Sequence, residues 1–283
     1  MSLQIVPPPT PAFAAVEEPA TDSAVRVAKP QVPVTLHPDT VGDDSHYLVS
    51  ALVSTYKAKR FIRGCLEDLE AQTISERLEI VVVDSGSKQN ERAIVEEFQQ
   101  RYSNIVYIRT EERESVYAAW NQGIRATRGK YITNANTNDR HRQDTFEHMV
   151  GLLENQPDVA LAYGNTYITK TENETFDNAT CVGELRRYDF DSMKLVNTCF
   201  IGPQPMWRKS VHTRYGYFDE SFESAGDWEF WLRMAGTERF SHLEEYLELY
   251  LESPTSVVHR GSGLSEREAV RVHERYRRRI APL

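Results

Sequence analysis

Four short stretches carry residue types that could do chemistry. The first is Asp84, which closes the apolar run Val81-Val82-Val83 and precedes Ser85-Gly86-Ser87. A carboxylate at the end of a buried strand can accept hydrogen bonds from the base or ribose of a nucleotide. The same placement also suits a turn cap. The second is Asn136-Thr137-Asn138-Asp139, flanked by Asn134, Arg140 and His141. So dense a polar loop is costly if buried unpaired, and makes sense facing a polar ligand or a hydrated cation. An ordinary Asn-rich turn is the competing reading. The third is Gly226-Asp227-Trp228-Glu229-Phe230-Trp231. Residues two apart on a helix diverge by about 200°, so the two carboxylates cannot share a face. One is then available for chemistry while the other is structural or solvated. Asp227, at the helix start, suits a general base, because aromatic walls raise a carboxylate's basicity. A carboxylate favoured simply by the helix dipole is the alternative. The fourth is His259 in Val257-Val258-His259-Arg260-Gly261, a candidate for a divalent metal or a phosphate, or else a lone histidine at a strand end.

These residues need a frame. Short β-branched runs predict buried strands over 48–55, 78–84, 104–109 and 130–133. Between them, apolar spacing of helical period predicts helices over 60–72, 91–102 and 115–127. Strand–helix alternation predicts an α/β fold: a doubly wound, mostly parallel central sheet with helices on both faces. Ligands in such sheets bind at the carboxyl ends of the strands, which here carry Thr55-Tyr56, Asp84-Ser85 and Asn136–Asp139. The second half is less regular. It reads as a helix over 146–154, a strand over 159–169, loop and strand over 200–208, a short helix over 226–235, a strand over 246–251 and a charged helix over 265–279.

The formal charge of −9 argues against nucleic acid as a partner, since phosphate backbones select basic surfaces. Three widely spaced cysteines, with no Cys-x-x-Cys pair, fit a reduced, cytoplasmic compartment better than a structural zinc site. No apolar run approaches the roughly 18 residues of a membrane span, and no signal-peptide pattern opens the chain. Residues 1–46 hold 8 of the 13 prolines and read as a disordered linker, joined to a further N-terminal domain or simply a tail. A catalytic domain is expected over 47–263 and a charged C-terminal helix over 264–283. Glu266–Arg279 contains six arginines and three glutamates. That composition suits a solvated helix, or contact with anionic lipid at the inner face of a membrane or with a lipid-linked acceptor.

In order and spacing, five segments from about Val49 to Ser262 resemble family 2 glycosyltransferases, inverting enzymes of the GT-A fold. They are SALVSTYK, LEIVVVDSGS, SVYAAWNQGIRATRGKYI, GYFDESFESAGDWEFWLR and SPTSVVHRGSGLS. The resemblance implies transfer of a hexosyl or related group from a nucleoside-diphosphate sugar to a hydroxyl of a glycan or lipid-linked acceptor, in polysaccharide or glycoconjugate assembly. It implies Asp227 as catalytic base. It places Asp84 against the nucleotide base, with Thr55, Tyr56, Ser85, Asn121, Asn136, Thr137 and Asn138 on the donor side. Trp207, Trp228 and Glu229 would border the acceptor, and Asp139, Asn138 and His259 would hold Mn²⁺ or Mg²⁺. One departure stands out: both acids of the family's Asp-x-Asp loop are asparagines here, Asn136 and Asn138. Asparagine keeps a carbonyl ligand but loses the charge that favours a hard cation. The metal site is then weakened, rebuilt from Asp139 and His259, or lost, and a weak or inactive nucleotide-binding scaffold is the alternative to an enzyme. A nucleotidyltransferase is disfavoured because residues 54–60 contain no glycine, and a dinucleotide oxidoreductase because no G-x-G-x-x-G follows a strand.

Overall fold

The computed structural model describes residues 46–253 and 263–280. In chain order the first half runs β1 (Val49–Thr55), α1 (Lys59–Glu70), β2 (Leu78–Asp84), α2 (Glu91–Gln99), β3 (Ile105–Arg109), α3 (Val116–Ala126) and β4 (Tyr131–Asn134). The second half runs β5 (Arg140–His141), α4 (Thr145–Asn155), β6 (Val159–Thr169), β7 (Cys181–Leu185), α5 (Ser192–Asn197), β8 (Met206–Arg208), α6 (Val211–Tyr215), α7 (Gly226–Met234), β9 (Arg239–Leu251) and α8 (Leu264–Tyr276).

The strands form one sheet in the order β3-β2-β1-β4-β8-β6-β9-β5, with β7 pairing on β6. Strands β1 to β4 are mutually parallel, and β6 and β9 are parallel to each other. The short β8 runs antiparallel to both β4 and β6 and joins the two parallel halves. Every residue of β2 is buried, as expected of a strand covered on both faces. Helix α1 turns Phe61, Ile62, Cys65, Leu66 and Leu69 inward. One core lies under α1, α2 and α4, and the other under α3, α7 and α8.

The first half follows the expected element order, with boundaries moved by one to three residues. The second half departs more. Strand β9 begins at Arg239, because its first half is polar and is held by pairing with β6 rather than by apolar sequence. The strands β5 and β7 and the helices α5 and α6 were not expected; the exposed β7 has no apolar run to announce it. Helix α8 is not merely an appended charged helix, since Val272 and Tyr276 are buried in the core beside α7. No helix among the described residues is long and apolar enough to cross a membrane. The Pro-rich segment lies outside the described residues, apart from His46.

Candidate functional site at the carboxyl edge of the sheet

Thr55 and Asp84 are paired in register at the ends of β1 and β2, and the chain leaves β4 for the polar loop on the same edge. Thr55 Oγ1 is buried with no hydrogen-bond partner among the described residues, so it is free to bond a ligand. Tyr56 presents a half-buried ring with the Arg113 guanidinium 4.8 Å and the Lys57 ammonium 5.3 Å from its centroid. An aromatic face with two cations suits a base and its phosphates. Arg113 was missed in the sequence because its neighbours, Glu111, Glu112 and Glu114, make the segment look like an ordinary solvated loop.

Asp84 does not offer a bare carboxylate. It is fully buried, with Oδ1 accepting from Ser87 N at 2.8 Å and Oδ2 from the Tyr107 hydroxyl at 2.6 Å and from Arg109. It therefore organises the turn beyond β2, as the capping reading anticipated. Ser85 Oγ accepts from Glu114 N at 2.6 Å and ties that turn to the segment entering α3. Asn121 is also spent internally. Its amide donates to Phe218 O and Glu220 Oε1, each at 2.9 Å, and its carbonyl accepts from Phe218 N at 3.0 Å. It anchors the 218–220 loop rather than facing a nucleotide.

The polar loop folds onto its own acid. Asp139 is buried. Its Oδ1 accepts from Leu251 N at 3.0 Å and Asn138 Nδ2 at 3.4 Å, and its Oδ2 from Asn136 Nδ2 at 2.9 Å. Burial pushes its carboxyl up to about 6, with the Asn136 side chain and the Leu251 amide acting in the other direction. The Asp139 side chain turns inward, where β9 supplies the Leu251 amide. Arg140 is likewise held, donating to the carbonyls of Thr137 and Asp139 and to Asn173 Oδ1. Asn136 and Asn138 remain partly exposed and can offer only neutral carbonyl oxygens. Among the described residues no group of three His, Cys, Asp or Glu side chains could hold a metal ion. A hard divalent cation prefers several charged oxygens, so these residues do not fit one. His259 lies outside the described residues.

Asp227 stands at the first turn of α7. A Cβ on Gly226 would fall 2.7 Å from the Tyr117 ring, so glycine is what lets that ring close over the helix start. Tyr117 donates its hydroxyl to Asp227 Oδ1 at 3.1 Å, and Trp228 N donates to the same oxygen at 2.8 Å. Oδ2 accepts no hydrogen bond among the described residues. Burial raises the pKa of the Asp227 carboxyl, while the two donors lower it. A half-buried, raised carboxylate with one oxygen free has the attributes of a general base.

The segment entering α7 is clamped by a residue the sequence did not single out. Glu268 of α8 accepts from three successive backbone amides: Glu223 N at 2.9 Å, Ser224 N at 2.8 Å and Ala225 N at 3.0 Å. Nothing local in the sequence signals this, because the partners are more than forty residues apart.

The three expected acceptor residues point elsewhere. Glu229 accepts from the Tyr276 hydroxyl at 2.6 Å, Arg275 at 3.0 Å and Arg233 at 2.9 Å, fastening α8 to α7. The divergence from Asp227 inferred from helix geometry is thus present, but Glu229 is a packing residue. Trp207 is fully buried, donates to His212 Nε2 at 3.0 Å and packs edge-on against Trp231. Trp228 is buried with its indole N–H on Leu195 O at 2.7 Å. Both tryptophans serve the core, since β8 is a central strand and α7 packs against α5.

The family model for glycosyl transferase family 2 matches residues 50–216. An uncharacterized glycosyltransferase of Methanocaldococcus jannaschii is 25% identical over 217 residues, covering 74% of this chain and 72% of its own. The putative glycosyltransferase EpsH of Bacillus subtilis is 32% identical over 113 residues, covering 40% of this chain but only 32% of EpsH. Among solved structures, S. aureus TarS 1-349 in complex with UDP-GlcNAc superposes with a TM-score of 0.65 at 17% identity, over 80% of this chain and 65% of that one. The Pyrobaculum calidifontis mannosyltransferase PcManGT, in complex with GDP-Man and Mn²⁺, gives 0.61 at 16% identity, over 87% and 68%. At such identities these two structures show the fold alone, and that fold is the expected α/β GT-A type.

Proposed function

The chain belongs to glycosyl transferase family 2, and on that premise we propose that it moves a sugar from a nucleoside-diphosphate sugar to an acceptor hydroxyl with inversion. The observation that carries this reading is Asp227, a buried-edge carboxylate oriented by Tyr117 through one oxygen and open at the other. In the proposed step Oδ2 takes the proton of the acceptor hydroxyl as its oxygen bonds to the anomeric carbon. The bond from that carbon to the diphosphate breaks on the opposite face, and its electron pair leaves with the diphosphate. Arg113 and Lys57, 4.8 and 5.3 Å from the Tyr56 ring centroid, would receive that charge. Tyr56 offers a stacking face to the base and Thr55 a free hydroxyl. The solved neighbours that bind UDP-GlcNAc and GDP-Man support a nucleotide-sugar donor. Because the described oxygens at 136–139 do not suit a divalent cation, no step is assigned to one. A glycan or lipid-linked acceptor, and a role in polysaccharide or glycoconjugate assembly, extend the same reading. A base kept with one oxygen open favours an enzyme over a nucleotide-binding scaffold.

The test is Asp227→Asn. The variant should melt and bind nucleotide like the parent yet transfer sugar ~10²–10⁴-fold more slowly, the usual contribution of a general base. Turnover at the parental rate would remove Asp227 from this role.

A further inference from the structure

Several buried polar atoms beside the 136–139 loop are left unsatisfied by the fold. Arg187 Nε, both amide atoms of Gln204 and Glu248 Oε1 have no hydrogen-bond partner among the described residues. They come from three segments: the stretch after β7, the loop before β8, and β9. Gly202, at φ +97°, lies where two of them meet: a Cβ there would stand 3.4 Å from Glu248 Oε2 and 3.5 Å from Arg187 Nε. Thr166 bridges the two side chains, accepting from Arg187 Nη2 at 3.1 Å and donating to Glu248 Oε2 at 2.9 Å. The Gln204 backbone amide also bears on the Glu248 carboxyl, as does the charge of Asp139. Asn134 Nδ2 donates to the Pro203 carbonyl and His141 is paired with Glu248, so the cluster lies beside the 136–139 loop at the carboxyl edge of the sheet.

A buried polar atom left without a hydrogen-bond partner is costly. Four together imply that water or a ligand completes the site. The open atoms alternate in character: Arg187 Nε and Gln204 Nε2 donate, Gln204 Oε1 and Glu248 Oε1 accept. Hydroxyls, which both donate and accept, match that set. Burial pushes the Glu248 carboxyl up to about 8, with Arg187 acting in the other direction, so its open oxygen can meet a hydroxyl as an acceptor or as a neutral acid. We propose that Arg187, Gln204 and Glu248 read adjacent hydroxyls of a sugar ring held at the carboxyl edge of the sheet, beside the 136–139 loop. This rests on the proposed function, and the ring belongs either to the donor or to the acceptor.

The test uses the full chain with Gln204→Met and Glu248→Gln. Calorimetric titrations compare UDP and GDP with UDP-glucose, UDP-galactose, UDP-GlcNAc and GDP-mannose. Saturation-transfer NMR with methyl glucoside, galactoside and mannoside probes the acceptor side. Both variants should bind free nucleotide within about twofold of the parent. The affinity ratio of nucleotide sugar to nucleotide should fall at least tenfold if the ring is the donor's; the glycoside signals should vanish if it is the acceptor's. Gln204→Met should melt no lower than the parent, because its side-chain amide has no partner among the described residues to lose. Unchanged ratios together with unchanged glycoside signals would overturn the proposal. So would a parent chain that responds to neither kind of sugar, or a lowered melting temperature for Gln204→Met. If free nucleotide fails to bind the parent, the transferase reading falls, while the glycoside measurement still decides the pocket.

Discussion

Replacing Glu268 by alanine isolates the role of α8 in holding the candidate base. The carboxylate takes three successive amides at 2.8 to 3.0 Å, immediately before α7 begins. Hydrogen bonds to a charged acceptor contribute more than neutral ones; Glu268 itself is buried, but the amides of exposed Glu223 and half-buried Ser224 can regain water once it is truncated. A net loss of about 1 kcal/mol per bond is therefore reasonable, about 3 kcal/mol in all. For a domain of this size that corresponds to a fall in Tm of roughly 6–12 °C. The activity loss should exceed what stability alone explains, because Asp227 follows the clamped segment by two residues. A shift of about 1 Å in a reacting group costs on the order of 10²-fold in rate. Differential scanning calorimetry and a transfer assay well below the melting range measure the two effects separately. Glu266→Ala, an exposed neighbour on the same helix, is the control and should stay within about 0.5 kcal/mol of the parent. A Glu268→Ala chain that melts within 2–3 °C of the parent and transfers sugar at the same rate would refute the clamp.

Two further perturbations separate the parts of the site. Tyr117→Phe removes a donor that lowers the Asp227 pKa. The base works only when ionised, so activity is lost as pH falls through that pKa. The acid limb of kcat/KM should therefore move to higher pH, with little change on the plateau; an unmoved limb would mean the hydroxyl does not tune the base. The pair Asn136→Asp and Asn138→Asp restores two charged oxygens to the loop. Thermal-shift titration with UDP or GDP should be nearly indifferent to Mn²⁺ in the parent and clearly enlarged by it in the double variant. A parent shift that depends strongly on Mn²⁺ would show that ligands outside the described residues build a metal site.

What the sequence determined was local. Apolar, β-branched runs between amphipathic segments specified β1 to β4 and α1 to α3, because periodicity reports which faces are buried. The same logic put Asp84 at a strand end and separated Asp227 from Glu229 on opposite sides of a helix turn. The sequence also marked the loss of both acids at 136 and 138. Tertiary structure decided the partners. Asp139 turns inward because Leu251, 112 residues away, brings its amide against it. Asn121 binds the 218–220 loop, Trp207 lies in a central strand, and Glu229 fastens α8. Glu268 reaches the segment before α7 only once α8 is docked. Arg187, Gln204 and Glu248 converge only when β6 pairs in register with β9, which sets Thr166 opposite Glu248. A side chain's type fixes what it can bond. Which groups lie within reach depends on how distant segments pack, and residue spacing carries no record of that.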